Sequence, residues 1–317
     1  MGGGPGGLYA ALLLRQAVPD AKITVVERNR ADDTYGFGVV FSDETLGAFR
    51  DADEPSYREI AARFRRWDAI DTFYRGTCTV SRGHGFAALS RRALLAVLQQ
   101  RCRELGVTLQ FERDLTSLAD LAADGYDLIV AADGGNSLAR RELADALAPR
   151  IDHGRTRFCW LGTTRPLDAF TFLFQQTDSG LFQVHAYPYD EAMATWIVEC
   201  ADSTWRAAGL TDADEATTVA RCESLFADFL RGHRLIANRS IWRTFPTIAC
   251  ERWSATVDSP RGPTPVVLLG DAAHTAHFSI GSGTKLAMED AIALVAALRD
   301  HAPDIPNALA AYEEARR

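Results

Sequence analysis

The chain carries only two lysines, Lys22 and Lys285, and no run that approaches the ~20 apolar residues of a membrane span. Residues 1–13 are apolar, but they rest on glycines and lack the basic segment of a signal peptide. Closely spaced cysteines are also missing. The six, at positions 78, 102, 159, 200, 222 and 250, form no C-x-x-C pair. Their spacing speaks against a zinc ribbon or a disulfide scaffold and for reduced thiols in a cytoplasm. The seven histidines make no H-x-x-x-H or H-E-x-x-H pattern, so no metal is expected. There is no excess of positive charge. Lys+Arg 34 against Asp+Glu 42 gives a net charge of -8, which disfavours nucleic acid or an anionic membrane as partner. No G-x-S-x-G elbow marks a serine nucleophile.

What is present suits a globular protein. The 317 residues are 47% hydrophobic and 24% charged, enough to build a large core. Residues 8–17 are Leu- and Ala-rich and read as a helix that Pro19 ends. Residues 22–27 are a β-branched run, the right length for a buried parallel strand. Residues 43–66 read as polar helix interrupted by Pro55, 72–80 and 107–111 as strands, and 90–105 as a helix closed by Gly106. A second buried strand at 127–132 leads into Asp133-Gly134. From about 156 the texture changes to aromatic, β-branched stretches at 157–164, 170–176, 181–188 and 194–200, an antiparallel pattern. A helix at 214–231 and a strand at 240–249 follow. A buried strand at 265–269 then leads into Gly270-Asp271, and helices close the chain at 284–299 and 305–317. The expected fold class is α/β: a Rossmann-like domain interrupted by a mainly antiparallel sheet. The expected segments are 1–155, 156–258 for the insertion and 259–317 for the return.

Three motifs carry chemistry. Gly2, Gly4 and Gly7 spell G-x-G-x-x-G, which allows a tight turn, close approach of backbone to a pyrophosphate, and helix–strand packing. The helix that follows offers unbonded N–H groups and the positive end of its dipole. Glu27, with Arg28 beside it, ends the next strand 20 residues after Gly7, where an acid accepts hydrogen bonds from a ribose diol. Asp133-Gly134-x-x-Ser137-x-x-Arg140 and Gly270-Asp271-Ala272-Ala273-His274 each place a carboxylate at the carboxyl end of a buried strand, where open α/β sheets bind ligands. Only Met1 precedes the glycine motif, and the chain stops inside a helical pattern, so a first strand and a helical tail are expected to be trimmed away.

As a set, these motifs resemble the group A flavin-dependent aromatic hydroxylases, the p-hydroxybenzoate hydroxylase class, over nearly the whole chain. The stretch from His274 through His277, Phe278, Gly281 and Gly283 to Lys285 departs from the general pattern. Phe278 stands where a proline is usual, and Lys285 where an asparagine is usual. With Gly83-His84-Gly85-Phe86 and residues 37–42, this variant is similar to the hydroxylases of aromatic acyl-CoA thioesters, the salicylyl-CoA 5-hydroxylase and anthraniloyl-CoA monooxygenase group. The resemblance implies that Gly2, Gly4, Gly7, Glu27 and Arg28 hold the ADP half of FAD. It implies that Arg91 lies near the phosphates, Asp133-Gly134 forms the second cofactor motif, Gly270-Asp271 meets the ribityl chain, and Gly281 and Gly283 face the flavin ring.

The activity it implies is hydroxylation of an aromatic ring through a flavin C4a-hydroperoxide, with NAD(P)H as reductant and O2 as co-substrate. The protein then orients the ring, excludes water and stabilises phenolate or amine character. His277 is the candidate catalytic residue, either accepting the substrate's proton or shaping the loop. His84, His185, Tyr187 and Phe278 are candidate substrate contacts, and Lys285 with Arg75 or Arg82 candidate partners of CoA phosphates. The remaining histidine of the motif, His274, reads as structural. Alternatives are a hydroxylase of a free phenolic or indolic intermediate and a non-catalytic flavoprotein remnant. A halogenase is disfavoured because its W-x-W-x-I motif is absent. Expected partners are a small aromatic or aromatic-CoA substrate, in a cytoplasmic monomer or homodimer.

Overall fold

A computed structural model describes residues 1–277 and 283–317, with the side chains of 43–45 excepted. Phe278 and Gly281 lie outside the described residues. The first helix, α1 (Pro5–Ala17), starts on Pro5 at N1, a position that needs no N–H, and stops ahead of Pro19. Its Leu8 and Leu12 are fully buried, each stabilising the fold by about 2 kcal/mol. The chain continues through β1 (Thr24–Val26), β2 (Gly38–Ser42), α2 (Asp43–Ala52), α3 (Glu54–Ala61), β3 (Arg65–Trp67), β4 (Ile70–Tyr74), β5 (Thr77–Ser81), β6 (Phe86–Ser90) and α4 (Arg91–Glu104). In α4 Leu94, Leu98 and Cys102 recur every fourth residue and are all fully buried, and the Ser90 side chain caps its first turn. Then come β7 (Thr108–Gln110), α5 (Leu118–Ala123), β8 (Ile129–Ala131), α6 (Leu138–Glu142), α7 (Ala144–Leu147) and β9 (Pro149–His153).

The insertion follows as β10 (Thr156–Thr163), β11 (Phe170–Thr177), β12 (Gly180–Pro188), β13 (Ala194–Ala201), α8 (Asp202–Ala207), α9 (Glu215–Leu225), α10 (Ala227–Leu230) and β14 (Leu235–Ile236). The chain ends with β15 (Pro246–Cys250), β16 (Ser254–Val257), β17 (Thr264–Leu268), α11 (Gly283–Asp300) and α12 (Ile305–Arg316).

Two parallel pairs form the first layer: β1 with β7, and β8 with β17, to which β16 adds antiparallel. Met1 and Gly2 bridge them. The Met1 amino group donates to Val130 O at 2.6 Å, Ala132 N to Met1 O at 2.9 Å, and Gly2 N to Val26 O at 2.8 Å. A cavity of about 120 Å³ lies alongside, lined by apolar residues that include Ala10, Leu14, Val25, Leu128 and Val130.

The larger sheet runs β14-β10-β13-β12-β11-β4-β5. Strict alternation gives it two different faces. Phe182, Val184, Ala186, Trp196, Val198 and Cys200 share one face, sealed by Trp205, Cys222, Phe226 and Leu230 of the following helices. Burial there pushes the thiols of Cys159 and Cys200 up to about 12, so they are inert filling of the core. The opposite face carries Gln183, His185 and Tyr187 beside Glu199, Ile197 and Thr195. Phe170 and Phe172 flank it, and it packs on Val40, Trp67 and Ala88 of the small β2-β6-β3 sheet.

The α/β architecture is the expected one, with local departures, among them the strand expected over 240–249, which forms only as β15 (Pro246–Cys250). Residues 72–80 form a hairpin rather than one strand, and β4 joins the large sheet parallel to β11. Its turn, Arg75-Gly76, has positive φ at both residues, the geometry a two-residue hairpin needs. The helix expected over 214–231 breaks at Phe226. Ile248, Cys250 and Trp253 already belong to the first core, ahead of the return expected at 259. Among the described residues no helix is long and apolar enough to cross a membrane.

One buried ion pair ties α3 to α4. Asp53, with a 1% exposed side chain, meets Arg101 through Nη2 at 2.9 Å and Nε at 3.1 Å, and also accepts from Gln16 and from Ser56 N. Burial pushes the Asp53 carboxyl up, but hydrogen bonds from Arg101 and Ser56 outweigh it and the net shift is downward. A depressed carboxyl stabilises the fold above its unfolded value near 3.8, and that stabilisation fades as pH falls through the lower folded value. Asp53→Asn leaves Arg101 with only its longer contact to Glu104 at 3.6 Å, and the expected loss is about 3 kcal/mol at pH 7. Denaturant unfolding at pH 7 and at about pH 3 checks this: the difference between variant and wild type should shrink at the acidic value.

Candidate functional site

The G-x-G-x-x-G turn sits at the carboxyl ends of β1 and β8, and its glycines differ in what requires them. Gly2 has φ +99°, and a Cβ there would lie 2.2 Å from Ala132 O. A Cβ on Gly7 would lie 2.1 Å from Gly2 O, so Gly7 is what lets α1 close on the turn. At Gly4, the N-cap of α1, a Cβ would meet nothing within 4 Å. The backbone is thus open to a bulky ligand where the helix presents its first N–H groups.

Glu27 stands across this turn. Its Oε2 accepts from Gly3 N at 2.7 Å, and its Oε1 accepts from Asn29 N at 2.8 Å and Asn29 Nδ2 at 2.6 Å. Each carboxylate oxygen has two lone pairs, so Oε2 keeps acceptor capacity for a ribose hydroxyl. Asn29 was not legible as a site residue, because nothing in its spacing marks it. Arg28 is exposed at the end of the strand.

The two Asp motifs meet through Arg140. Asp133 Oδ2 accepts from Leu138 N at 2.6 Å, while its Oδ1 is buried without a partner among the described residues. Ser137 caps α6 by accepting from Arg140 N at 3.0 Å. The Arg140 guanidinium donates to Ala272 O at 2.9 Å, Asp271 O at 3.3 Å and Gly135 O. It is 3% exposed and clamps the 133–140 loop to the 270–272 turn. The motif's closing arginine is therefore a structural tie between the two Asp loops. Gly134 and Gly270 both have positive φ, as these turns demand.

Asp271 faces Arg91, the first residue of α4. Asp271 is an exposed residue, yet protein atoms crowd its carboxyl. Desolvation pushes its pKa up, while the Arg91 charge opposes the shift. Desolvation likewise lowers Arg91, with Asp271 and Tyr187 opposing. Gly283 begins α11, and a Cβ added there would lie 4.0 Å from Asp271 Oδ1. His274 is held within the fold: its Nε2 lies 2.8 Å from Asp290, and its ring stacks on Trp253 at 4.6 Å. The fully buried Asp290 also binds Gly270 N and Arg316.

The remaining candidates are distributed over the large sheet, the loops beside it and α11. His277 packs its ring against Phe245 at 5.4 Å. His185 lies edge-on to Phe172 at 5.2 Å and 3.6 Å from the Glu199 carboxylate. Tyr187 donates its hydroxyl to Gly38 O at 3.0 Å, and burial pushes its pKa to about 12. The hydroxyl proton is spent on backbone, so Tyr187 ties the large sheet to the segment at Gly38. His84 is exposed, 2.7 Å from Ser81 Oγ, with its ring on Phe86. Arg75 and Arg82 sit on the β4–β5 hairpin and beside it, and Lys285 pairs with Glu289 at 3.7 Å. Among the described residues no cluster could hold a metal ion.

The open Gly4 backbone, the spare lone pair of Glu27 and the unpartnered Asp133 Oδ1 fit a dinucleotide with hydroxyl donors. Comparison with known proteins agrees. The whole chain, residues 1–317, matches the FAD binding domain family. It is similar to a salicyloyl-CoA 5-hydroxylase of Streptomyces sp, 43% identical over 325 residues, covering 100% of this chain and 61% of that protein. It is also similar to a 3-hydroxy-4-methyl-anthranilyl-[aryl-carrier protein] 5-monooxygenase of Streptosporangium sibiricum, 38% identical over 316 residues, covering 100% of this chain and 82% of that protein. The solved tetrameric form of 2-methyl-3-hydroxypyridine-5-carboxylic acid oxygenase shares the fold, with a TM-score of 0.76 at 18% identity over 99% of this chain and 84% of that one.

The glycine geometry separates binding from folding. Gly4→Asp keeps a good N-cap and meets no protein, so the apoprotein should melt within a degree or two of wild type, while FAD affinity falls about 100-fold from charge repulsion at the pyrophosphate. Gly7→Ala should instead destabilise the apoprotein by about 2 kcal/mol through the clash with Gly2 O. Thermal melts without FAD, paired with flavin fluorescence titrations, check both.

Proposed function

The chain belongs to the FAD binding domain family, and on that premise we propose that it is an FAD-dependent, NAD(P)H-using monooxygenase that hydroxylates the ring of an aromatic acyl thioester. What supports the reading is the glycine turn at the carboxyl ends of β1 and β8, with the Gly4 backbone open and Glu27 across it, together with the match to the FAD binding domain family. Arg91 relates this turn region to the large sheet, since Asp271 and Tyr187 both act on its charge.

Bound FAD supplies hydride acceptance from NAD(P)H and the activation of O2 for transfer of one oxygen atom to carbon. By this reading Gly2, Gly4, Gly7 and Glu27 hold the ADP half, Arg91 neutralises phosphate charge, and Asp133-Gly134, Gly270-Asp271, Gly281 and Gly283 hold the remainder. The chain's own tasks are to orient an electron-rich ring, to keep water away and to accommodate the proton of its activating substituent. Phe170 and Phe172, their rings tilted by 33°, supply apolar surface beside the sheet. His277 is the candidate to receive the proton.

The substrate class rests on two relatives whose names specify a thioester carrying an ortho oxygen or nitrogen donor, one on coenzyme A and one on a carrier protein, each oxygenated at ring position 5. Position 5 is para to that donor, where electron release is strongest. The shared recognition element is then an aryl thioester on a phosphopantetheine arm. The chain spans 61% of the length of the first of these relatives, so the activity of the whole protein is part of the proposal.

Purified protein supplied with FAD should retain a bound-flavin spectrum after gel filtration. Salicyloyl-CoA or anthraniloyl-CoA should then stimulate NAD(P)H oxidation at least about tenfold over the free acids, because binding energy from the remote arm is realised at the ring. Equal stimulation by a free acid rejects the thioester assignment, and absence of bound flavin rejects the enzyme.

A further inference from the structure

The loop between β10 and β11 carries a cation that the fold does not pair. Arg165 lays its guanidinium over the Phe229 ring, 3.7 Å from the centroid. Phe229 is itself fixed by Phe73 at 5.0 Å and Trp196 at 5.7 Å. Among the described residues, Arg165 Nη1 is buried with no hydrogen-bond partner and no acid pairs with the side chain. The residue as a whole keeps partial exposure, so a group arriving from solvent reaches the guanidinium. The nearby arginines differ in this respect. Arg65 meets Asp168 at 3.3 Å, Arg82 meets Asp68 at 3.8 Å, and Arg234 meets Glu223 at 3.0 Å. Backbone bonds join the loop to a second arginine turn: Thr164 N donates to Arg234 O at 3.0 Å, and Arg234 N to Thr164 Oγ1 at 2.9 Å. In that turn Arg231 is exposed, in a left-handed conformation at the end of α10. Burial lowers the pKa of Arg165, and the charge of Arg231 lowers it further. In a chain of net charge -8 this is a local excess of positive charge. A methionine would cover Phe229 without desolvating a charge, so stacking alone does not account for an arginine here.

The same loop leads into the aromatic face. Arg165 stands five residues ahead of Phe170, so at most about 18 Å of chain separates them. Phe170 N donates to Ala69 O at 3.0 Å, and His84 N to Asp68 O at 3.1 Å. One short stretch, Asp68-Ala69, thus joins the arginine loop to His84, where the rings of Phe172, Phe170 and Phe86 reach the surface. We infer that Arg165 and Arg231 form an anion site for the phosphates at the nucleotide end of coenzyme A, which holds the substrate's arm while its acyl ring lies on the aromatic face. The inference rests on the aryl-thioester reading. A guanidinium whose face is taken by a ring keeps its N–H fork for the oxygens of a phosphate. A partly buried cation in a loop suits the compact phosphate ester of coenzyme A rather than the broad acidic surface of a carrier protein. The site takes part in no covalent step; it supplies binding energy remote from the reacting ring.

The test compares two substrates that share ring and thioester arm: salicyloyl-CoA and salicyloyl-pantetheine, which lacks the phosphates and the nucleotide. FAD-loaded Arg165→Met keeps the apolar cover of Phe229. Its kcat/KM for salicyloyl-CoA should fall about tenfold, as for loss of one charge-assisted contact, while that for salicyloyl-pantetheine should hold. Arg231→Asn places a residue that tolerates the left-handed backbone, and it should lose about threefold with the same selectivity. The Kd of free coenzyme A, read by calorimetry, should rise about tenfold in Arg165→Met, and in wild type it should rise with added salt. The KM for NADPH should be unchanged. If Arg165→Met fails to fold, Arg231→Asn decides by the same comparison. Equal Kd of coenzyme A in wild type and variant, or an equal loss on both thioesters, overturns the inference. So does a raised KM for NADPH alone, or an equal loss on a carrier-protein salicyloyl thioester. If coenzyme A binding depends on Arg165 but no thioester is turned over, the hydroxylase reading fails and the anion site stands.

Discussion

The geometry of the whole interior depends on how closely the backbone at Gly38 approaches the large sheet. Gly38 N donates to Thr195 Oγ1 at 3.0 Å, and Gly38 O accepts from Tyr187 at 3.0 Å. A Cβ at Gly38 would stand 2.6 Å from Tyr189 Cβ, so any side chain would force the layers apart. The neighbouring contacts are as tight: Gly36 packs under Trp160, and a Cβ on Gly162 would strike the Phe37 ring at 2.6 Å. Arg91 N, at the head of α4, donates to Phe37 O at 2.8 Å. The same short segment therefore sets both the height of the aromatic face and the position of the arginine opposite Asp271. Both backbone groups of Gly38 are buried and paired, so the contact leaves no polar group unsatisfied.

The cofactor side is organised by a different logic. Its loops are short, carry glycines at strained φ, and are held by charges buried at their roots. Arg140 ties the 133–140 loop to the 270–272 turn, and Asp290 ties that turn to His274 and to Arg316 of the last helix. Stable anchors behind glycine turns are what a large, polar dinucleotide requires, because its binding energy is not then consumed in ordering the loops. The substrate side is built from rings. Contacts run from His84 through Phe86 and Phe170 to Phe172 and His185, a continuous aromatic path from the surface to the buried acid–histidine pair.

Much of this was legible in the sequence because its signals are local. Glycine spacing, the 20-residue step to Glu27, helix periodicity and the change of texture near 156 all depend on neighbours within a few turns. The strands at 156–163, 170–177, 180–188 and 194–201 lie within one residue of their expected ends. What was not legible depends on partners far along the chain. The β4 strand pairs with β11, a hundred residues later, and no local pattern announces it. Tyr187 read as a candidate substrate contact because alternation put it beside His185; only the three-dimensional contact with Gly38 spends its hydroxyl. Glu199 drew no notice as a lone acid in an apolar strand, since its meaning comes from register against Gln183 and proximity to His185. Arg140 was visible as a motif letter, but its role as a clamp follows from the position of a turn 130 residues away.

The central claim is that this interior transfers one atom of O2 to the carbon para to a ring donor. The most direct measurement is mass spectrometry of the product formed from salicyloyl-CoA by FAD-loaded protein and NADPH under 18O2. The account predicts a ring-hydroxylated thioester that has gained one 18O atom, with the new hydroxyl at position 5. Recovery of unlabelled salicyloyl-CoA, with NADPH consumed only to form hydrogen peroxide, would contradict it.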